Sequence, residues 1–224
     1  MKLSKIDLSK HLGVTPKTID RWMKQGKLPI SKKDGNYLVR GEELEKWAFK
    51  HQIKLSLSHT QKPATKPDTI ISLSDAVGRG GVYYDIPGHD SATVLESSIE
   101  RMTRIPGDFK MDLLDRLIER ENALSTGIGK GIAIPHPRDP LAYLNHSMVS
   151  ICLLDKPVDY NALDHQPVFA LCFILCPSLK KHLHLLSALA FCLKSPSFID
   201  LLKSKANMDQ LIRKIETLQT ENAI

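Results

Sequence analysis

Ser125-Thr126-Gly127-Ile128-Gly129-Lys130-Gly131-Ile132-Ala133-Ile134-Pro135-His136-Pro137-Arg138 is the stretch around which the chain is organised. Glycine at 127, 129 and 131 permits backbone angles closed to other residues and leaves amides uncovered. Ile132-Ala133-Ile134 then reads as a short buried strand. Two prolines bracket His136. Each fixes its own φ and pushes the residue before it towards extended geometry. The histidine is therefore held on a stiff turn at a strand end, where an imidazole can act as nucleophile, proton carrier or metal ligand. Two phosphate-binding motifs do not fit. A P-loop needs Ser or Thr after its Gly-Lys pair, and Lys130 is followed by Gly131. A dinucleotide fingerprint opens a helix after a strand, whereas these glycines run into a strand. On residue chemistry alone, a glycine-rich turn carrying a structural histidine remains open.

Length and composition set the outer bounds. The chain has 224 residues with 42% hydrophobic content, enough for one or two cores. It has no apolar run of about 18 residues, so no membrane insertion is expected. The first residues lack the apolar core of a signal peptide. Cysteines 152, 172, 176 and 192 lie in apolar stretches with no CxxC pair or close Cys/His cluster, so no metal is expected. They suit reduced core thiols and a cytoplasmic location. Charge is divided unevenly. Residues 1–54 carry 13 Lys and Arg against 6 Asp and Glu, a net +7. The remainder carries 18 against 19, a net −1. Such asymmetry points to a nucleic-acid-binding appendage on a near-neutral domain.

Residues 5–12 read as a first helix with Ile6, Leu8 and Leu12 apolar. Gly13-Val14 turns the chain, Thr15 is an N-cap and Pro16 suits the first helical position. A second helix reaches about residue 25 with Ile19, Trp22 and Met23 inward, and Gly26 ends it. Asp34-Gly35-Asn36 makes a hairpin turn between residues 30–33 and 37–40. A third helix covers residues 42–50, with Leu44 and Trp47 packing back. The order helix, turn, helix, hairpin, helix, with Leu12-Gly13-Val14, Arg21-Trp22, Gly26-Lys27-Leu28-Pro29 and Leu44-Glu45-Lys46-Trp47, resembles the excisionase/MerR-type winged helix. The resemblance implies contact with duplex DNA. Lys17, Thr18, Arg21 and Lys24 on the second helix, and Lys32, Lys33, Tyr37 and Arg40 on the wing, are the candidate contacts. Arg21 also suits a role in the module's own fold, and a protein-binding winged helix stays open.

Residues 55–68 hold two prolines and many hydroxyls without apolar periodicity, and read as a linker between a 1–54 module and a 69–224 domain. Beyond it, an initial strand or docking segment is expected at 70–73 and another at 83–86, with strands at 147–154 and 168–176 and a short strand or turn near 158–163. Helices are expected at 93–104, 110–122, 179–193, 197–204 and 208–219. The alternation gives a layered α/β domain, a mixed sheet flanked by helices.

Gly131-Ile132-Ala133-Ile134-Pro135-His136, preceded by residues 125–129 and by Glu119-Arg120-Glu121, resembles the phosphorylation site of the IIA proteins of the bacterial phosphotransferase system. The fructose/mannitol class, with its nitrogen-regulatory members, is the nearest type. The resemblance covers about residue 70 to the C-terminus. It implies that His136 accepts a phosphoryl group from an HPr-type carrier, making the protein a histidyl phosphotransferase or phosphocarrier with no cofactor. It further implies a IIB-type acceptor or a regulatory target protein. Lys181-His182-Leu183-His184 resembles the family's second active-site histidine, with His182 the aligned residue. Pro137-Arg138 departs from the family, in which a glycine follows the histidine. Arg120, sixteen positions before His136, is suited to disfavour imidazolium and to hold phosphoryl oxygens. Amides from Gly127, Gly129 and Gly131 are suited to line the same anion. His182, in the first turn of its helix, is suited to donate to a phosphoryl oxygen or to orient His136. His146, His165 and His184 are expected to have no direct role. Three functions are compatible with these residues: a phosphohistidine-bearing regulator with its own DNA-binding module, a phosphocarrier feeding a sugar permease, and a DNA-binding protein whose IIA-like domain senses a ligand or partner. A homodimer through the IIA-like domain is one route by which such a regulator would act.

Overall fold

In the computed structural model, which describes residues 2–33, 36–39, 41–50 and 71–221, capping side chains start most of the helices. Contacts divide the chain into one unit of Met1–Thr69 with Leu141–Asn145 and a second of Ile70–Pro140 with His146–Ile224. The expected linker lies outside the described residues.

In the first unit, Ser4 and Asp7 form a capping box that opens α1, Lys5–Leu12. Gly13 closes that helix at φ 66°. Thr15 accepts from the Thr18 amide and Pro16 occupies the first turn of α2, Pro16–Lys24. β2, Ile30–Lys33, pairs antiparallel with β3, Asn36–Val39. β1, Lys2–Leu3, was not anticipated and adds to the other side of β3, which makes β3 the central strand. α3 spans Gly41–Lys50. Leu8, Leu12, Ile19, Trp22 and Leu44 form the core, with the Trp22 and Trp47 rings 5.4 Å apart. Ile6, expected inward, is 59% exposed. Leu141, Tyr143 and Leu144, from the added segment of this unit, are buried.

The second unit is a mixed five-stranded sheet in the order β4-β7-β8-β6-β5. α4, Leu73–Gly80, precedes β4, Val82–Ile86. α5, Ser91–Arg101, and α6, Gly107–Ala123, follow. β5, Gly127–Gly129, and β6, Ile132–Ala133, then lead to the long pair β7, Met148–Val158, and β8, Val168–Leu175. α7, Leu179–Cys192, α8, Pro196–Lys203, and α9, Met208–Thr220, complete it. Val149, Ile151 and Leu153 of β7 enter one apolar cluster with α4, α7, α8 and α9. Period-two alternation sends Cys152 to the opposite face, where its thiol meets Ser98 of α5. All four cysteines are buried thiols, and burial pushes Cys152 and Cys172 up to about 12.

One expectation changes. Residue 70 lies outside the described residues, Ile71 and Ser72 form no strand, and Leu73 opens a helix. Ser72 caps it by accepting from the Asp75 amide, and Leu73, Ala76, Val77 and Gly80 form a buried stripe at helical spacing. Of the short strand or turn expected near 158–163, the turn is what forms: β7 ends at Val158 and the His165 amide donates to the Ala162 carbonyl at 2.9 Å.

Gly80 fixes how closely α4 approaches the sheet. A Cβ there would stand 2.1 Å from the Val149 carbonyl oxygen, a backbone atom that cannot swing aside. Gly80→Ala is expected to lower unfolding free energy by about 2–3 kcal/mol, read as a lower urea midpoint with an unchanged slope.

Candidate functional site

His136 stands just beyond the end of β6, a strand held from both sides. The Ile134 amide donates to the Thr126 carbonyl at 3.0 Å, and the Ile174 amide donates to the Pro135 carbonyl at 3.1 Å. Pro135 and Pro137 are buried while the His136 side chain is half-buried. Its Nδ1 lies 2.8 Å from the Ile134 carbonyl oxygen. A carbonyl only accepts, so in the neutral ring the proton sits on Nδ1 and the lone pair on Nε2.

Two helices bring polar groups to this ring. His182 lies in the first turn of α7, after the Ser178 cap, and its ring centroid is 5.1 Å from that of His136. Arg120, in the last turn of α6, donates from Nη1 to the Leu124 carbonyl at 2.7 Å. Glu121, next to it, takes both Thr126 donors: the amide at 3.0 Å and the hydroxyl at 2.5 Å. Burial, together with the Arg120 charge, holds the His136 pKa below the usual histidine value, against opposing contributions from the Ile134 carbonyl and Glu121. His182 is lowered by burial and by His136. Both rings are therefore neutral near pH 7.

The geometry thus brings His136, His182 and Arg120 together. Glu121 stood in the quoted sequence without a role; its only signal there was its place between Arg120 and the glycine turn. The glycines answer first to packing. A Cβ on Gly127 would lie 2.7 Å from that of Ala162, and one on Gly131 2.5 Å from the Phe169 ring. The Gly127 amide donates to the Ser125 hydroxyl, and the Lys130 amide to Asp164 at 2.7 Å. The Lys130 bond, with another from the Gln166 amide, holds the Asp164 carboxyl below the usual carboxylate range. Arg138 is exposed and shares the rim of a shallow depression with His182, Leu179 and Ile174. His146 and His165 are exposed, and His184 is half-buried on α7.

In the first unit, Lys17 and Lys24 are exposed on α2, and Lys17, Arg21 and Lys24 share one face by their spacing. Two expected contacts are corrected. Thr18 is fully buried; its hydroxyl pairs with that of Thr15 and accepts from Arg21 at 3.0 Å. Tyr37 is 5% exposed on the central strand β3. Neither side chain is presented outward for a base edge. Lys32 and Lys33 lie on β2, with side chains outside the described residues, and Arg40 is outside them altogether.

Residues 86–217 match the family model for the phosphoenolpyruvate-dependent sugar phosphotransferase system, EIIA 2, over more than half of the chain. The chain belongs to this family. Residues 3–51 match a helix-turn-helix domain model, so a IIA domain and a helix-turn-helix domain are joined in one protein. The chain is 32% identical over 153 residues to a nitrogen regulatory protein of Pseudomonas aeruginosa, covering 67% of this chain and 98% of that one. The crystal structure of nitrogen regulatory protein IIA-Ntr from Neisseria meningitidis is similar at TM-score 0.54 and 25% identity, covering 65% of this chain and 96% of that one. The IIA mannitol enzyme of Escherichia coli, solved in complex with phosphorylated IIB mannitol, shares the fold at TM-score 0.50 and 13% identity, covering 61% of this chain and 94% of that chain.

The tautomer is directly measurable. Nitrogen-15 spectra of the histidine rings at pH 7 are expected to show His136 protonated on Nδ1 and bare on Nε2. Its titration midpoint is expected below the usual histidine value of 6.5. A ring protonated on Nε2, or a midpoint above 6.5, would contradict the site geometry.

Proposed function

We propose that the protein is a phosphohistidine-bearing regulator that accepts a phosphoryl group on Nε2 of His136 from an HPr-type carrier and binds duplex DNA through its N-terminal unit. The observation that carries the first half is the hydrogen bond from His136 Nδ1 to the Ile134 carbonyl, which leaves the Nε2 lone pair for attack. The step balances without an added reagent. The donor's P–N bond breaks as the Nε2–P bond forms, and the donor imidazole leaves with its electron pair. His136 keeps its Nδ1 proton throughout.

Transfer through a loose transition state depends on position and charge rather than on covalent assistance. Arg120 supplies fixed positive charge, and its bond to Leu124 limits its motion. His182, neutral and at the start of α7, has one N–H with which to donate to a phosphoryl oxygen, and the helix dipole there favours an anion. The Gly127 amide already serves Ser125, which leaves Arg120 and His182 as the side chains assigned to charge stabilisation.

For DNA binding the support is the helix-turn-helix match, the +7 charge of residues 1–54 and the exposed Lys17 and Lys24 on one face of α2. A regulator in the cytoplasm suits this pairing better than a plain carrier for a permease, because a carrier has no use for a basic helix-turn-helix unit. Phosphorylation adds roughly −1.5 to −2 charge near neutral pH, by analogy with phosphorylated hydroxyl residues. The segment Leu141–Asn145, which begins five residues after His136, belongs to the N-terminal unit, so the site is tied to that unit by a short stretch of chain.

Incubation with a phosphoenolpyruvate-driven HPr-type cascade is expected to label the protein with acid-labile phosphate. His136→Ala is expected to remove the label, and Arg120→Ala to slow its appearance on the order of 10²-fold. Full labelling of His136→Ala would place the acceptor elsewhere. Duplex DNA affinity is expected to fall linearly with salt on logarithmic axes. Lys17→Ala is expected to weaken binding, while phosphorylation changes occupancy of one operator fragment relative to the unmodified protein and His136→Ala. No binding to genomic fragments at low salt would leave the N-terminal unit as a protein-interaction module.

A further inference from the structure

We infer that Glu121 is a positioning residue for the phosphoryl-accepting imidazole, acting on His136 through Thr126 and the Ile134 carbonyl. The inference rests on the assignment of His136 as acceptor.

The connection is a continuous run of hydrogen bonds. Both Glu121 oxygens are engaged, accepting from the Thr126 amide at 3.0 Å and from its hydroxyl at 2.5 Å. The Thr126 carbonyl accepts from the Ile134 amide at 3.0 Å. The Ile134 carbonyl accepts from His136 Nδ1 at 2.8 Å. Thr126 and Ile134 are 5% and 4% exposed, so water does not compete for the middle of the run. A carboxylate gripping one residue with two bonds fixes both the place and the angle of the strand edge on which Ile134 sits. That carbonyl direction decides where the Nε2 lone pair points.

The placement of Glu121 argues that its charge matters as well as its shape. It lies in the last turn of α6, where the helix dipole disfavours an anion. A purely mechanical link at that position would be served as well by a neutral amide. The charged groups facing His136 are Arg120 and Glu121 from α6, and the neutral but titratable His182 faces it from α7. Arg120 favours the neutral ring and the incoming anion, and Glu121 opposes both. The pair leaves the ring basic enough to attack and the phosphoryl group loosely enough held to leave. Oppositely charged neighbours therefore set a transfer site rather than a permanent anion store.

Two variants separate the roles in the full chain. Glu121→Ala removes bonds and charge together. It is expected to slow labelling about tenfold and to broaden or reverse the Nδ1–H tautomer in nitrogen-15 spectra. Glu121→Gln keeps one accepting oxygen for the Thr126 amide, turns the second contact into an amide N–H that donates to the Thr126 hydroxyl, and loses the charge. It is expected to restore the tautomer and most of the rate, with a His136 titration midpoint lower than in the parent. Should Glu121→Ala fail to fold, judged by circular dichroism, the titration of Glu121→Gln still carries the test. An unchanged midpoint in Glu121→Gln, or a parental tautomer and rate in folded Glu121→Ala, would overturn the inference. The titration and tautomer need no phosphoryl donor. A parent protein that takes no label would therefore refute the acceptor assignment on its own.

Discussion

Everything at the candidate site follows from one backbone carbonyl. Ile134 belongs to the edge of a two-residue strand between β8 and β5, and its carbonyl takes the His136 Nδ1 proton. A free imidazole exchanges tautomers rapidly and presents either nitrogen. Here the main chain selects one tautomer without another side chain, and a carbonyl, unlike a carboxylate, adds no formal charge in doing so. The two prolines then stiffen the chain on each side of the ring. A histidine on a mobile loop would pay the ordering entropy on each encounter with a donor; this one has it built into the fold.

Electrostatics make the same nitrogen usable. Each unit of pKa depression corresponds to about 1.4 kcal/mol against the charged ring. For His136 burial is the largest cause and Arg120 adds to it, so attack by a neutral ring is available without a general base. His136 also lowers the tendency of His182 to protonate, with the two rings 5.1 Å apart. This pattern favours receipt of an anion over binding of a proton. A second imidazolium would attract phosphate more strongly but would also compete with the nucleophile for the same field.

Much of this was legible in the chain, and the failures have physical causes. Thr15-Pro16 and Gly26 marked the ends of α2 because capping chemistry is local. His136 was legible because proline restricts its neighbours whatever the fold. Thr18 and Tyr37 were read as outward by residue type. Thr18 lies one helical turn from Trp22 on the inward face, and its hydroxyl finds partners inside. Tyr37 lies on a strand that became central only because β1 paired with it, and no period of two in four residues reveals a partner strand. The run at 70–73 read as a strand or docking segment because a short apolar run fits either state until the Ser72 cap is seen to engage Asp75. Glu121 was hidden for a related reason: its partners are a backbone amide and a hydroxyl five residues on, a contact made by the turn after α6 rather than by helical spacing.

The glycine-rich turn shows why sequence motif and anion site are separable. Gly129, Lys130 and Gly131 have φ of 93°, 57° and 76°, three consecutive residues in the left-handed half of the map. For Lys130 that costs roughly 1–2 kcal/mol, offset by the Asp164 carboxylate on its amide. Any side chain at 127 or 131 would collide with Ala162 or Phe169, so the hairpin could not close against the rest of the unit. Close packing of this hairpin is what brings Thr126 within reach of both Glu121 and Ile134. The glycines therefore act on His136 at one remove. They let β5 lie where the Glu121 link can set the strand edge, and the strand edge sets the histidine.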